Sequence, residues 1–259
     1  MRVGAADADR LELLGKHYNP NSRAFLEAAG VGSGDSIIDI GCGHGAMTGW
    51  LAERVGGSGK VFALDTSRPQ LDVARENLQR FSNVVYAEGT IENHHLGDIQ
   101  VKWAYSRFLL MHVADPRKTL EAMAQTLSPD GRLLLELADV GSLRFVPGPP
   151  VSECWRAWWF GLGEVRGASY DIADYIESLL EDVGLVVERR DRYQPVSTCR
   201  EAKLVHALGF EQCVSGYIDE LGVAIEHVEA HRDYLRRVLD DPEVAIELFS
   251  NTQYIARQR

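Results

Sequence analysis

The chain has 259 residues, of which 45% are hydrophobic and 25% charged, a composition typical of an ordinary globular protein. With 38 acidic and 27 basic residues, its formal net charge of −11 disfavours a nucleic-acid backbone as substrate and favours a small molecule. No stretch approaches the roughly 18 uninterrupted apolar residues that cross a bilayer, and the N-terminus lacks the apolar core of a signal peptide.

Four cysteines stand apart in the sequence, at Cys42, Cys154, Cys199 and Cys213. None belongs to a CxxC pair, so neither a zinc site nor a disulfide framework is indicated. His94 and His95 lack partners at metal-ligand spacing, and solvated loop histidines are the simpler interpretation. We therefore expect no metal and a reducing, cytoplasmic location.

The first half of the chain alternates short apolar segments with amphipathic ones. Residues 36–40 form a β-branched run that ends in glycines, as a buried parallel strand does. Asp115 followed by Pro116 is typical of a helix N-terminus. Further strands are predicted at residues 61–64, 83–87 and 101–105 and from Leu133 onward, after a turn at 128–131. These units predict a doubly wound, mostly parallel sheet with helices on both faces.

The regular alternation ends at Gly141. An aromatic cluster follows between Trp155 and Phe160. The pattern then predicts a helix at 172–183, a sixth strand at 185–188, a long helical stretch at 197–249 and a last strand near 254–256. Because connections within α/β domains are usually short, the two long excursions predict a helical cap over the carboxyl edge of a seven-stranded sheet.

The chain therefore divides into six segments. They are an N-terminal helical lid segment (1–34), the core (35–140), an insertion (141–169), a return to the core (170–194), a helical cap (195–250) and the last core strand (251–259). The aromatic cluster either lines an apolar substrate pocket or packs on itself. The apolar faces of the carboxyl-terminal helices either cover the sheet or form a homodimer interface.

Three alternating glycines, Gly41, Gly43 and Gly45, follow the first strand. Without Cβ atoms the backbone can turn sharply and approach a ligand closely, and nearby helix amides favour an anion. Asp65 stands twenty residues beyond Gly45, at the end of the next strand, where a carboxylate accepts hydrogen bonds from both hydroxyls of a ribose. This combination predicts adenosine-ribose binding, which nicotinamide dehydrogenases and methyltransferases share.

Two features favour S-adenosylmethionine over NAD. The glycine spacing is GxGxG, whereas the dinucleotide fingerprint is GxGxxG. Asp39 lies two residues before the first glycine, where its carboxylate would repel a pyrophosphate. The same carboxylate is expected to order the loop amides and to face a cationic amino-acid group.

The motifs together resemble those of the class I S-adenosylmethionine-dependent methyltransferase family. Residues 37–45 (IIDIGCGHG) resemble its first motif, and residues 87–92 its adenine-binding third motif. Residues 107–116 resemble the segment after the fourth strand, and residues 127–133 (LSPDGRL) the LxPGGxL turn. The resemblance covers about residues 35–137. It departs from the family pattern at Thr90, Lys102 and Asp130, which stand in place of an aspartate, an acid and a glycine.

The resemblance implies S-adenosylmethionine as cofactor and assigns residues to it. Thr66 would adjoin the adenine, the Thr90 hydroxyl would accept a hydrogen bond from its amino group, and the Ile91 amide would contact its ring. Tyr18 is a candidate to close over the methionine carboxylate, with a packing role as the alternative. The other assigned residues are Asp39, Gly41, Cys42, Gly43, Asp65 and Ser106.

His112 is the candidate catalytic base, since an unperturbed imidazole titrates near pH 6.5; packing under the cofactor is its alternative role. We expect in-line transfer of a methyl group to a small-molecule acceptor, in secondary metabolism. Oxygen, nitrogen and carbon acceptors stay open. The alternatives are an RNA or protein methyltransferase, a non-catalytic S-adenosylmethionine-binding protein and a dehydrogenase.

Overall fold

The computed structural model describes residues 8–148 and 154–259. Ten strands lie in these ranges: β1 (Ser36–Ile40), β2 (Lys60–Asp65), β3 (Val84–Glu88), β4 (Val101–Arg107), β5 (Leu127–Asp139), β6 (Arg144–Val146), β7 (Leu185–Tyr193), β8 (Val196–Ser197), β9 (Ala245–Glu247) and β10 (Ser250–Gln258). The helices are α1 (Ala8–Ala29), α2 (Ala46–Val55), α3 (Arg68–Asn77), α4 (Pro116–Gln125), α5 (Cys154–Val165), α6 (Ile172–Asp182), α7 (Arg200–Asp219) and α8 (Ile225–Val238). Within the described ranges, no helix is both long and apolar enough to span a membrane.

Seven strands form one mixed sheet in the order β3-β2-β1-β4-β5-β10-β7. Strand β10 runs antiparallel to both of its neighbours, whereas β1 to β5 pair in parallel. The predicted doubly wound, mostly parallel sheet is therefore confirmed. The parallel arrangement brings the carboxyl ends of β1, β2 and β4 to one edge, where open α/β sheets bind ligands.

Strand β1 lies inside the sheet, between β2 and β4, and both of its faces are apolar. Ile37 packs with Leu51 of α2 on one side of the sheet, and Ile38 packs with Leu120 of α4 on the other. Such two-sided burial is typical of parallel strands covered by helices. At the start of α4, the Asp115 side chain accepts a hydrogen bond from the Lys118 amide at 3.0 Å, as the sequence predicts for an N-cap.

Strand β5 differs from the prediction at its start. It begins at Leu127, and the expected turn at residues 128–131 lies within it as a bulge. Val101 pairs with Leu127 and Trp103 with Arg132, so β5 advances five residues while β4 advances two. The predicted turn is therefore a bulge within strand β5 and does not separate two elements.

A buried carboxylate fixes α1 against the sheet. Glu136 on β5 has no exposed surface and accepts hydrogen bonds from the Tyr105 hydroxyl at 2.6 Å and the Ser22 hydroxyl at 2.9 Å. The side-chain amides of Asn251 and Gln253 on β10 donate to the same carboxylate. Four donors satisfy a charge that burial would otherwise make costly.

Helices α1, α5, α7 and α8, with the small antiparallel sheet β6-β9-β8, form a second layer, called here the helical layer. Its own apolar core includes Tyr18, Trp155, Phe210, Leu235 and Ile246. The helical layer meets the main sheet at Phe108, which follows β4 and contacts Tyr18 and Phe249 edge-on.

Candidate functional site

The glycine turn after β1 has a backbone that only glycine adopts easily. Gly41, Gly43 and Gly45 have φ angles of +78°, +55° and +82°, in the left-handed region. The amides of Gly41 and Cys42 donate to the Leu64 carbonyl at 2.8 and 3.1 Å. These bonds fold the turn back over the end of β2 and hold it next to Asp65.

Asp65 ends β2 and bonds the glycine turn directly. Its Oδ2 accepts a hydrogen bond from the Gly43 amide at 2.9 Å, and its Oδ1 accepts one from the Ser67 amide at 2.9 Å. The side chain is half-buried and lines a cavity. Each carboxylate oxygen keeps further acceptor capacity toward a ligand.

Asp39 lies beneath the turn and is almost fully buried, with 3% of its surface exposed. Burial raises its pKa to about 6. Its Oδ2 accepts a hydrogen bond from the Thr48 hydroxyl of α2 at 2.6 Å. The expectation that Asp39 orders the loop amides is therefore wrong, because it bonds α2 while Asp65 bonds the loop. Its carboxylate still lines the cavity.

The cavity has a volume of about 510 Å³ and lies between the glycine turn and the helical layer. This is within the usual range for small-molecule sites. Six residues expected from the sequence line it: Asp39, Gly41, Cys42, Gly43, Asp65 and His112.

The hydrogen-bond acceptors and the free space around the turn fit S-adenosylmethionine. A Cβ on Gly41 would lie 3.2 Å from Leu109, and one on Gly43 would lie 3.0 Å from the side-chain oxygen of Gln70, so glycine keeps this space open. His44 lines the cavity, and its buried Nε2 has no hydrogen-bond partner among the described residues. Carboxylates at two points of the wall suit ribose hydroxyls and an ammonium group.

Four other expected cofactor residues do not line the cavity. Thr66 and Thr90 are exposed just beyond the carboxyl ends of β2 and β3. Ile91 is buried in the core, 5% exposed, and the Ser106 hydroxyl donates to the Ile40 carbonyl at 3.0 Å. The Ser106 side chain thus bonds β4 to β1, so the cofactor contact expected of it does not fit this position.

Tyr18 also differs from its expected role. It has no exposed surface, and its hydroxyl donates to the Phe249 carbonyl at 2.6 Å. Its ring stacks on Phe249 at 5.1 Å and meets Phe108 and Tyr193 edge-on. These contacts support the packing alternative, because the hydroxyl that would close over a methionine carboxylate is already bonded.

His112 follows β4 and turns its ring toward the cavity, edge-on to Tyr170 at 5.9 Å. Burial, together with the nearby Arg10 guanidinium, lowers the pKa of His112 to about 4. The imidazole is therefore neutral near pH 7.

Several cavity residues were not identified from the sequence. Phe108 is the non-glycine residue with positive φ, +56°, among the described ones, and strained backbone of this kind clusters at functional sites. Arg107 donates to Asn19 at 2.9 Å and also lines the cavity. Tyr170 and His206 come from segments without a recognisable motif. Trp159 lines the cavity, so the aromatic cluster contributes to its wall as well as to packing.

Residues 38–135 match a family model described as a methyltransferase domain. The ubiquinone/menaquinone biosynthesis C-methyltransferase UbiE of Cronobacter sakazakii is 32% identical over 116 residues, which are 44% of this chain and 46% of that protein. The Haemophilus ducreyi protein of the same name is 27% identical over 218 residues, 82% of this chain and 76% of that protein. The chain spans about half the length of most curated relatives it matches near 30% identity.

Among solved structures, a protein of Bacillus halodurans C-125 superposes with a TM-score of 0.60 at 18% identity, covering 91% of this chain and 97% of that one. At this identity the likeness concerns the fold. The family match, in contrast, covers the glycine turn, Asp65 and the strands that position them. Residues 38–135 therefore form a segment similar to methyltransferase domains, and the glycine turn lies within it.

Proposed function

We propose that this protein transfers the methyl group of S-adenosylmethionine to a small-molecule acceptor bound in the cavity. One observation carries the proposal: Asp65 accepts the Gly43 amide at 2.9 Å, and both residues line the same cavity as the helical layer. The glycine turn therefore opens onto a cavity large enough for a small molecule.

S-adenosylmethionine, when bound, supplies a methyl group that its sulfonium has already activated. The residues of the chain then need to bind, orient and exclude water. Asp65 accepts hydrogen bonds from the ribose hydroxyls, and Gly41 and Gly43 leave room for the ligand backbone. Asp39 offers a buried carboxylate to the ammonium group, and a cation there favours its ionised form.

The other wall of the cavity suits a small, mainly apolar acceptor. It is built from side chains such as Phe108, Met111, Trp159, Tyr170 and Phe249. The name of the UbiE relatives, which refers to quinone biosynthesis, supports a small-molecule acceptor for this chain. We further propose a role in secondary metabolism and a cytoplasmic location, the latter because the four cysteines include no CxxC pair and indicate no disulfide framework.

Replacing Asp65 tests the proposal. Asp65→Ala removes the acceptor for the ribose hydroxyls, so affinity for S-adenosylhomocysteine should fall by about 1–3 kcal/mol in calorimetry. Asp72→Ala is the matched control, because that carboxylate pairs with Arg68 and Arg75 on an exposed face of α3. Unchanged affinity in Asp65→Ala would remove Asp65 from the site.

A further inference from the structure

Two histidines meet where the helical layer borders the cavity. His206 on α7 is 4% exposed and lines the cavity, whereas His231 on α8 is half-buried. Their Nε2 atoms are 3.4 Å apart, so an N–H of one ring can donate to the other. Neither residue has a role in binding at the glycine turn.

Aromatic rings surround this histidine pair. The Trp155 ring centre lies 4.4 Å from that of His206, and the Phe145 centre lies 5.7 Å away. Phe210 lies 4.6 Å from His231. Burial lowers the pKa of His206 well below 6.5 and that of His231 to about 4. Both imidazoles are therefore neutral near pH 7.

Charged and titratable groups lie around His206 on several elements, and Arg10 on α1 and Arg107 on β4 line the same cavity. The Arg156 guanidinium on α5 and the His231 ring on α8 both lower the pKa of His206. Tyr234 lies beside His231 on α8, with ring centres 6.0 Å apart. Cys213 lies two turns further along α7 and lines the same cavity. From strand β6, the apolar Phe145 ring packs near His206.

The cavity wall near His206 is aromatic and free of carboxylates among the described lining residues. The Trp159 ring centre lies 6.4 Å from that of His206 and 6.0 Å from that of Tyr170. These rings continue the aromatic wall toward the glycine turn. The lining carboxylates, Asp39 and Asp65, lie at the turn itself. An ammonium acceptor would lack a counter-charge near His206, whereas a neutral hydroxyl on a flat ring would not need one.

We propose that His206 is the base that takes the hydroxyl proton from a flat, apolar, phenol-type acceptor, and that His231 positions the His206 ring. This inference rests on the proposed methyl transfer. His112 lines the same cavity, but its ring packs against Tyr170 and no second imidazole orients it among the described residues.

The acceptor oxygen attacks the methyl carbon and forms an O–C bond, while the sulfur–carbon bond breaks and leaves its electron pair on sulfur. The hydroxyl proton moves to Nδ1 of His206, because Nε2 faces His231. One positive charge is lost from sulfur and one is gained by the imidazole, which later releases its proton to water.

Binding of two probes tests the site without turnover. We expect 2-naphthol to bind the complex with S-adenosylhomocysteine about tenfold more tightly than naphthalene, because its hydroxyl donates to His206. His206→Leu should abolish this preference. Equal affinities in the wild type, or a preference that persists in His206→Leu, would overturn the proposal. Failure to bind S-adenosylhomocysteine would instead contradict the proposed methyl transfer.

The pH dependence of methyl transfer to 2-naphthol distinguishes a base from a structural residue. The His206→Gln side chain accepts a hydrogen bond but takes no proton, so the rate at pH 7 should fall about 100-fold or more. It should recover toward pH 10, where a phenol ionises unaided. The exposed His227→Gln on α8 should keep the wild-type profile.

Three outcomes would contradict this assignment. A rate that falls equally at every pH in His206→Gln indicates a structural role. A pH-dependent loss in His112→Gln but not in His206→Gln places the base at His112. Wild-type protein that binds 2-naphthol and S-adenosylmethionine but forms no methylated product excludes a phenol-type acceptor.

Discussion

Asp39→Asn should change stability and cofactor binding in opposite directions. Burial raises the pKa of Asp39 from 3.8 to about 6. Each pKa unit corresponds to about 1.4 kcal/mol, so keeping this carboxylate ionised destabilises the folded protein by about 3 kcal/mol at neutral pH. The folded state binds the proton more tightly than the unfolded chain, so this cost is absent below pH 4 and develops between pH 4 and 6.

Asparagine keeps the shape and an acceptor for the Thr48 hydroxyl but carries no charge. Asp39→Asn should therefore raise the free energy of unfolding by up to about 3 kcal/mol at pH 8 and leave it nearly unchanged at pH 4, as measured by urea denaturation. The same variant should bind S-adenosylmethionine more weakly by about 1.5–3 kcal/mol, because the ammonium loses a charged acceptor.

Asp35→Asn is a control whose effect on stability should have the opposite sign to that of Asp39→Asn. Burial alone would raise the pKa of Asp35, but hydrogen bonds from Lys102, Trp103 and the Gly32 amide lower it overall. Its ionised form is stabilising, so Asp35→Asn should destabilise the protein at neutral pH and less so in acid. Equal destabilisation by Asp39→Asn at pH 4 and pH 8 would refute the account of Asp39.

Two further substitutions test the turn and the buried carboxylate by urea denaturation at pH 7. Gly45→Ala should destabilise the fold by about 1–2 kcal/mol, because φ is +82° and the new Cβ would lie 2.7 Å from Leu78; Gly57→Ala, with open space around it, should cost less. Glu136→Gln should lower the free energy of unfolding by about 2–4 kcal/mol, because an amide replaces a carboxylate that accepts from four donors. The exposed Glu181→Gln should change little, and equal effects in the two would contradict the role of Glu136.

The first half of the fold follows from local sequence patterns. Residues 36–40 are β-branched and apolar on both faces, and the Asp115 N-cap forms the side-chain bond that its position predicts. The glycine turn and Asp65 were found because close backbone approach requires glycine and a ribose requires an acceptor. These requirements act over a few residues or at fixed spacing, which a single sequence records.

The residues that the sequence did not reveal depend on contacts between distant segments. His206 and His231 meet only because α7 packs against α8, and Tyr18 is bonded to a carbonyl 231 positions away. Glu136 lies in an apolar strand, and its donors come from three other elements. The short sheet β6-β9-β8 joins segments with no strand-like pattern of their own. Tertiary packing decides each of these, so no local motif precedes them.

Calorimetric titration with S-adenosylhomocysteine and, separately, with NAD tests most directly whether the glycine turn and Asp65 form an S-adenosylmethionine site. The turn has GxGxG spacing, and the buried Asp39 beneath it would repel a pyrophosphate. We therefore expect S-adenosylhomocysteine to bind and NAD not to bind. Binding of NAD without binding of S-adenosylhomocysteine would contradict the account.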